Sequence, residues 1–386
     1  MKALEIKKNV YWVGGIDWTL RNFHGYSTKS GSSYNAYLIL GEKKILIDTV
    51  KEYLFDEMLS RIESVCDPAS IDIIVSNHTE MDHSGSIEKL CRIAKNAVVM
   101  ASPNGEKGLK KHFFGDLNIK PVASGETLDC SDHKLQFFHM PMVHWPDSMA
   151  TYCPEKKILF PNDAFGQHIA STERYDDEMD FGFVKQEATK YYANIVLPYG
   201  SQVNAALGAL GGLDFDIIAP SHGLIWRKHI PEILALYKKW SDNETENRGV
   251  IVYDSMWHST ERIAYALYDA FCEKKIFAEL SDLKTNDISD LMTKILEARY
   301  IFVGSPTLNN GMLPTVGGFL TYLKGLAPKK RVGMAFGSYG WGGQSIGQIE
   351  TVLKDSGFAM LDSIKVQYVP DKAVLKGITE RVTKLL

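Results

Sequence analysis

Ten residues, Ser76-Asn77-His78-Thr79-Glu80-Met81-Asp82-His83-Ser84-Gly85, restrict this chain more than any other stretch. Four groups able to hold a metal ion, His78, Glu80, Asp82 and His83, fall within six residues. The apolar run 71–75 before them reads as a buried strand, and 84–90 after them as the start of a helix. The carboxyl end of a strand is where an open α/β sheet places its chemistry. In an extended chain His78 and Glu80 project to one side, and Asp82 and His83 address a neighbouring point as the chain turns. That pattern suits two metal ions close together.

A chain of 386 residues exceeds one comfortable core, so about two domains are expected. The net charge of -4 and the absence of a long basic stripe argue against a nucleic-acid partner. No apolar run approaches the roughly 18 residues that span a bilayer. The N-terminus has no signal-peptide core, which makes the cytoplasm the default location and a membrane partner unexpected. The five cysteines, Cys66, Cys91, Cys130, Cys153 and Cys272, are widely spaced and form no Cys-x-x-Cys pair. Neither a disulfide framework nor an internal iron–sulfur or rubredoxin-type site is expected.

Strands are expected at 10–15, 34–40, 44–48, 71–75 and 97–101, with helices at 52–65 and 103–113. A strand-rich stretch covers 119–160. Three more candidate ligands follow apolar runs: His144 after 135–138, Asp163 after 158–160 and His222 after 215–218. Ligands distant in sequence but all at strand ends can converge at one sheet edge.

This constellation resembles the metallo-β-lactamase superfamily, whose His-x-His-x-Asp-His motif is followed by separated His, Asp and His ligands on an αβ/βα sandwich. His78, Asp82, His83, His144, Asp163 and His222 match, and Glu80 stands where hydrolases have the second histidine. A carboxylate there adds negative charge, and a carboxylate–imidazole set favours non-haem iron. The stretch His-x-Glu-x-Asp-His resembles the flavodiiron proteins in particular, as does 17–26 followed by 33–37. The resemblance implies one iron on His78, Glu80, His144 and Asp163 and the other on Asp82, His83, Asp163 and His222, with Asp163 bridging. It also implies that His24 lies near the metals and hydrogen-bonds to substrate, with a structural loop role as the alternative. Tyr26, Trp145 and Phe165 are candidate walls of the pocket.

A helix is expected at 230–240, then a polar connection at 241–248. The expected domains are 1–248 and 249–386. From Gly249 the chain alternates strand and helix, with strands near 250–253, 276–280, 300–304, 331–336 and 364–369. That order gives an open parallel sheet. The first loop, Ser255, Met256, Trp257, His258, Ser259 and Thr260, offers hydroxyls and helix-start amides to an anion. It lacks the Gly-Lys-Ser/Thr of a P-loop. The whole segment resembles flavodoxin. By that resemblance this loop holds the phosphate of FMN, Thr307, Leu308, Asn309 and Asn310 line one side of the ring, and Ser338, Tyr339, Gly340 and Trp341 the other.

The fold expected is therefore α/β: an N-terminal metallo-β-lactamase-like αβ/βα sandwich and a C-terminal flavodoxin-like doubly wound parallel sheet. The flavodiiron resemblance implies an oxidoreductase that reduces dioxygen to water, nitric oxide to nitrous oxide, or both, at two non-haem irons supplied through FMN. It implies a head-to-tail homodimer, or a dimer of such dimers, which brings the FMN of one chain to the irons of the other. The missing Cys-x-x-Cys pairs point to an external electron donor, rubredoxin or a reduced deazaflavin. The competing readings are a metal-dependent hydrolase with an accessory flavodoxin-like domain and an electron carrier with a structural metal domain.

Overall fold

The structure is a computed structural model and describes residues 1–115 and 117–386. Its contacts divide the chain into two compact units. The first comprises Met1–His24, Thr28–Tyr191 and Tyr199–Lys238; the second comprises Gly25–Ser27, Tyr192–Pro198 and Lys239–Leu386.

The first unit holds two mixed sheets. The larger runs Leu4–Lys7, Val10–Trp12, Tyr37–Ile39, Ile45–Ile47, Ile73–Ser76, Val98–Ala101, Ile119–Pro121 across its width. It is antiparallel at the N-terminal edge and parallel from Ile45–Ile47 onward. The smaller runs Thr127–Asp129, Lys134–His139, Met149–Cys153, Ile158–Phe160, Ile217–Ile218. The period-two alternation of side chains sorts two cores. Tyr37, Ile39, Ile45, Ile47, Ile73 and Val75 pack with Leu135, Phe137, Met149 and Phe160 of the other sheet. Leu38, Leu46, Ile74 and Val99 point the opposite way, onto Met58, Ile62, Leu90 and Leu109 of the flanking helices. The strand Ile73–Ser76 is thus buried on both faces, which is why it reads as an unbroken apolar run.

The second unit is a parallel sheet in the order Phe277–Asp282, Glu246–Tyr253, Ala298–Gly304, Val332–Tyr339, with Ala359–Met360 and Ile364–Gln367 both pairing the last of these. Ile251, Phe302 and Phe336 pack there with Ile263, Leu267, Phe271 and Ile378 of the helices. The polar stretch 241–248 is not wholly a connection: Glu246–Tyr253 is one strand, and the Glu246 N–H donates to the Glu297 carbonyl. Glu246, which is exposed, and the more buried Glu297 both face Lys239, at 2.7 and 3.0 Å.

Candidate functional site

The strand Ile73–Ser76 delivers the ligand stretch, and neighbouring loops lock it. The Asn77 carbonyl accepts from Met149 N, and Thr79 N–H donates to Asp147 Oδ2 at 2.7 Å. Buried Asp48 receives Asn77 N at 2.8 Å, Asn77 Nδ2 at 3.0 Å and Asn162 Nδ2 at 3.2 Å. One carboxylate so ties the loop bearing His78 to the loop bearing Asp163. The chain does not stay extended through Asp82: Met81–Ser84 is a helical turn with Glu80 as its N-cap, and His83 and Ser84 both donate to the Glu80 carbonyl. The turn is what swings Asp82 and His83 toward a second point.

All seven candidate ligands come together, in two groups. His78, Glu80, His144 and Asp163 form one, and Asp82, His83 and His222 the other. In the first group, His144 Nε2 lies 3.3 Å from Glu80 Oε2 and 3.2 Å from Asp163 Oδ2. His78 Nε2 lies 3.4 and 3.6 Å from the same two oxygens. In the second, His83 Nε2 lies 3.4 Å from Asp82 Oδ1 and 3.0 Å from Asp163 Oδ1. His222 Nε2 lies 3.4 Å from Asp82 Oδ2 and 3.2 Å from Asp163 Oδ1. Asp163 therefore turns one oxygen to each group. Ligands about 2.1 Å from a tetrahedral metal are separated by about 3.4 Å. The observed edges fit that spacing.

Hydrogen bonding gives an independent test of the fit. His78 Nε2, His83 Nε2, Asp163 Oδ2 and both Asp82 oxygens are buried without a hydrogen-bond partner. Each orphaned buried polar atom costs about 1–3 kcal/mol, and here they all aim into the two groups. Two metal ions would satisfy them together. Two of the remaining ring nitrogens are held in place, whereas His83 Nδ1 is buried without a hydrogen-bond partner. His78 Nδ1 lies 3.1 Å from Asp147 Oδ2, and His222 Nδ1 lies 3.0 Å from the Ser33 carbonyl. Both partners accept, so each Nδ1 carries the proton and Nε2 is the free donor atom. Ser221 Oγ donates to Asp163 Oδ1 at 3.1 Å.

The charges explain how the site survives before metal arrives. Burial pushes the Glu80 carboxyl up, but the His144 and His78 imidazoles facing it outweigh that and hold it low. Burial favours neutral His144 and His222, yet Asp163 with Glu80 raises His144 to about 9, and Asp163 with Asp82 raises His222 to about 10.

His24 has a left-handed backbone, φ 53°, and its exposed ring lies 3.4 Å from the outer Glu80 oxygen, Oε1. Of the expected walls, Trp145 stands edge-on to His78 with ring centres 5.0 Å apart. Phe165 packs on Tyr237 with ring centres 4.4 Å apart, and Tyr26 is buried. Tyr34 and Tyr191 lie 5.3 and 5.8 Å from the His222 ring. Lys51 Nζ lies over the rings of Tyr34 and Phe23 at 4.6 and 5.1 Å. Sequence reading missed these residues along with Asp147, Asp48 and the buried His168. Asp147 alone offered a signal, three residues past His144 in a Pro-Met-Val-His-Trp-Pro-Asp run. Gly223, beside His222, has φ 76°, and a Cβ there would meet Gln167 Oε1 at 2.0 Å.

In the second unit a cavity of about 650 Å³ lies at the strand ends. Ser255, Met256, Trp257, Ser259, Thr307, Asn309, Asn310, Ser338, Tyr339, Gly340 and Trp341 line it, so the three expected loops do meet. Three expected residues stay out of the lining. Thr260 is buried beneath, its hydroxyl 3.0 Å from that of Ser338. His258 turns to Glu261 at 2.6 Å, and Leu308 pairs with Gly311. Tyr368, Val369, Pro306, Gly342 and Gln344 also line the cavity and were not foreseen. Tyr368 and Val369 sit past a fifth strand end whose contribution no motif announced. The helix Ser259–Glu273 opens at the cavity, and its first amides favour an anion there.

Residues 33–223 match the family described as ODP family beta lactamase, and residues 251–379 match the flavodoxin family. The chain is 42% identical over 380 residues to the nitric oxide reductase of Moorella thermoacetica, covering 96% of this chain and 94% of that protein. Among solved structures it is similar to the rubredoxin oxygen:oxidoreductase of Desulfovibrio gigas, with 38% identity, TM-score 0.97, and 100% and 98% of the two chains covered. A flavodiiron protein from Giardia intestinalis is 33% identical with TM-score 0.97, covering 100% of this chain and 96% of that one.

Proposed function

Because this chain belongs to the flavodiiron family, we propose that it reduces dioxygen to water, nitric oxide to nitrous oxide, or both. The observation that carries the proposal is the pair of ligand groups sharing Asp163, with the carboxylate of Glu80 in the first group. When bound, two irons supply the redox change at the substrate and FMN supplies their electrons. Dioxygen needs four electrons and four protons to give two waters. Two nitric oxide molecules need two of each to give nitrous oxide and one water.

The residues have separable tasks in this reading. His78, Glu80 and His144 would hold one iron and Asp82, His83 and His222 the other, and Asp163, which turns one oxygen to each group, would serve both. Glu80 and the two aspartates offset the positive charge of the metals and favour the oxidised iron that carboxylates stabilise. Asp147 and the Ser33 carbonyl fix the tautomers of His78 and His222. Trp145, Tyr34 and Tyr191 limit water around the imidazoles. His24, exposed with its ring 3.4 Å from Glu80, would offer a hydrogen bond to the substrate in this reading. In the second unit Ser255, Ser259 and the amides of the helix start receive the FMN phosphate, and Tyr339 and Trp341 border the ring.

Electrons enter from outside in this proposal, from a rubredoxin-type protein, with a reduced deazaflavin as the other candidate. The name of the Desulfovibrio gigas relative favours rubredoxin. The working unit proposed is a head-to-tail homodimer in the cytoplasm. Among the described residues no helix is long and apolar enough to cross a membrane.

The test is anaerobic. The iron- and FMN-loaded protein is fully reduced, then mixed with dioxygen or with nitric oxide, and reoxidation and products are followed. Rapid reoxidation with water or nitrous oxide as product is expected. Slow reoxidation by both gases, in protein carrying both cofactors, would overturn the proposal.

A further inference from the structure

One charged side chain beside the phosphate loop has no task in that account. Lys284 follows the strand Phe277–Asp282, and its backbone N–H donates to Asp282 Oδ1 at 2.9 Å. Its Nζ lies 3.1 Å from Asp254 Oδ1 and donates to the Ser255 carbonyl. Asp254 immediately follows the strand Glu246–Tyr253, and its side chain is only 5% exposed. Asp254 Oδ1 also accepts the Ser255 N–H at 2.6 Å, and Oδ2 accepts the Thr315 hydroxyl at 2.5 Å. Next in sequence, Ser255 lines the cavity, and its Oγ is buried with no hydrogen-bond partner.

A buried carboxylate one residue from a hydroxyl offered to a phosphate is an electrostatic conflict. The ligand brings close to two negative charges, and in a poorly solvated site like charges repel strongly. Lys284 is the one cation paired with Asp254 among the described ion pairs. It lies outside the cavity lining, so it acts through Asp254 and Ser255 rather than by touching the ligand. The same ammonium ties the Ser255 carbonyl to the next strand end, which fixes where the free hydroxyl points.

We propose that Lys284 is a positioning residue for the phosphate of FMN: it neutralises Asp254 and anchors Ser255, so that the loop 255–260 accepts a doubly charged anion. The inference rests on the flavin-binding reading of the second unit. It predicts a contribution confined to the phosphate end of the ligand. Riboflavin, which has the same ring and no phosphate, should be indifferent to Lys284.

The full chain, stripped of flavin, is titrated with FMN and with riboflavin while flavin fluorescence is followed. K284M should weaken FMN about tenfold, as expected for loss of one partner of a partly buried charge pair, and leave riboflavin unchanged. K284R should restore FMN binding. Removing the opposing charge as well, in K284M/D254N, should recover most of the lost FMN affinity. If K284M does not fold, D254N alone carries the test, and should bind FMN at least as well relative to riboflavin as the parent does. Equal weakening of both ligands would show a loop distortion and overturn the inference, as would unchanged FMN binding in K284M. A parent protein that binds neither FMN nor riboflavin would overturn the flavin reading itself.

Discussion

The metal centre and the flavin cradle are built on opposite principles. In the first unit, buried charged side chains already stand at ligand spacing, and their neighbours leave them little freedom. In the second, a wide cavity is bordered by hydroxyls, backbone and aromatics, of which Trp257 and Trp341 are 85% and 92% exposed. The difference follows from the ligands. A metal ion gains its energy from a few short bonds, so donors misplaced by an ångström lose it, and the protein must fix them beforehand. A flavin gains its energy from spread-out area and one anionic end, so its site tolerates open edges and ligand-ordered aromatics. Variants should therefore act steeply in the first region and gradually in the second.

The steepest response is expected at Asp163. Asp163→Ala removes a donor from both ligand groups at once. Iron content should collapse at both positions, and reoxidation by either gas should slow by about a thousandfold, well beyond the roughly 10–100-fold cost of losing an outer partner. FMN content should not change. Metal analysis beside flavin absorbance decides this, and joint loss of both cofactors would break the contrast between the regions.

Proton linkage separates the regions next. Without metal, carboxylates hold His144 to about 9 and His222 to about 10. Both are then protonated at neutral pH, whereas a metal binds the neutral imidazole. Against its burial, His78 is raised in the same direction by Asp147 and Glu80, so metal uptake should release at least two protons near pH 7 and tighten by about a hundredfold or more per pH unit until pH approaches 9. Calorimetry of metal binding in buffers of different ionisation enthalpy counts those protons. Flavin binding should show no such steep dependence over the same range. A proton count near zero would mean that the imidazoles are neutral before metal arrives.

Asp147 tests a smaller effect in the same region. Asp147→Asn keeps the shape but removes the charge that holds the His78 Nδ1 proton. Metal affinity should fall roughly 10–100-fold, with the fold intact by circular dichroism. Equal metal affinity in parent and variant would assign Asp147 to loop anchoring through Thr79 alone.

The contrast also governs what the sequence could reveal. Metal ligands are particular residue types at strand ends, so His78, Glu80, Asp82 and His83 stood out together, and His144, Asp163 and His222 followed from apolar runs before them. The larger sheet of the first unit and the sheet of the second were legible because strands buried on two faces, such as Ile73–Ser76 and Ala298–Gly304, read as continuous apolar runs. The supporting contacts were not legible. Asp48 and Asp147 are ordinary aspartates until the fold brings them to Asn77 and His78. The helical turn Met81–Ser84 was hidden by the short polar run that forms it. In the flavin region the loops were found by position, but which side chains face the cavity depends on local turns. His258 and Thr260 alternate out of the lining because the helix Ser259–Glu273 begins between them.

The smallest effect is expected at Trp341, and it bears most directly on the flavin region. Its side chain borders the cavity yet is almost wholly exposed, so it lacks the packing that would fix it beforehand. Ordering it against a ring on binding costs side-chain entropy, which offsets part of the stacking gain. Trp341→Ala should thus weaken FMN only about threefold to tenfold, within the range of an aromatic pair, and should weaken riboflavin by the same factor because only the ring is involved. That equality is the opposite of the phosphate-selective loss expected for K284M, so the same titration separates the two ends of the cradle. Iron content should stay at the parental level. A loss much larger than tenfold would mean that Trp341 is fixed before the flavin arrives. The cradle would then be preformed like the metal centre, and the difference between the two regions would lie only in the chemistry of their ligands.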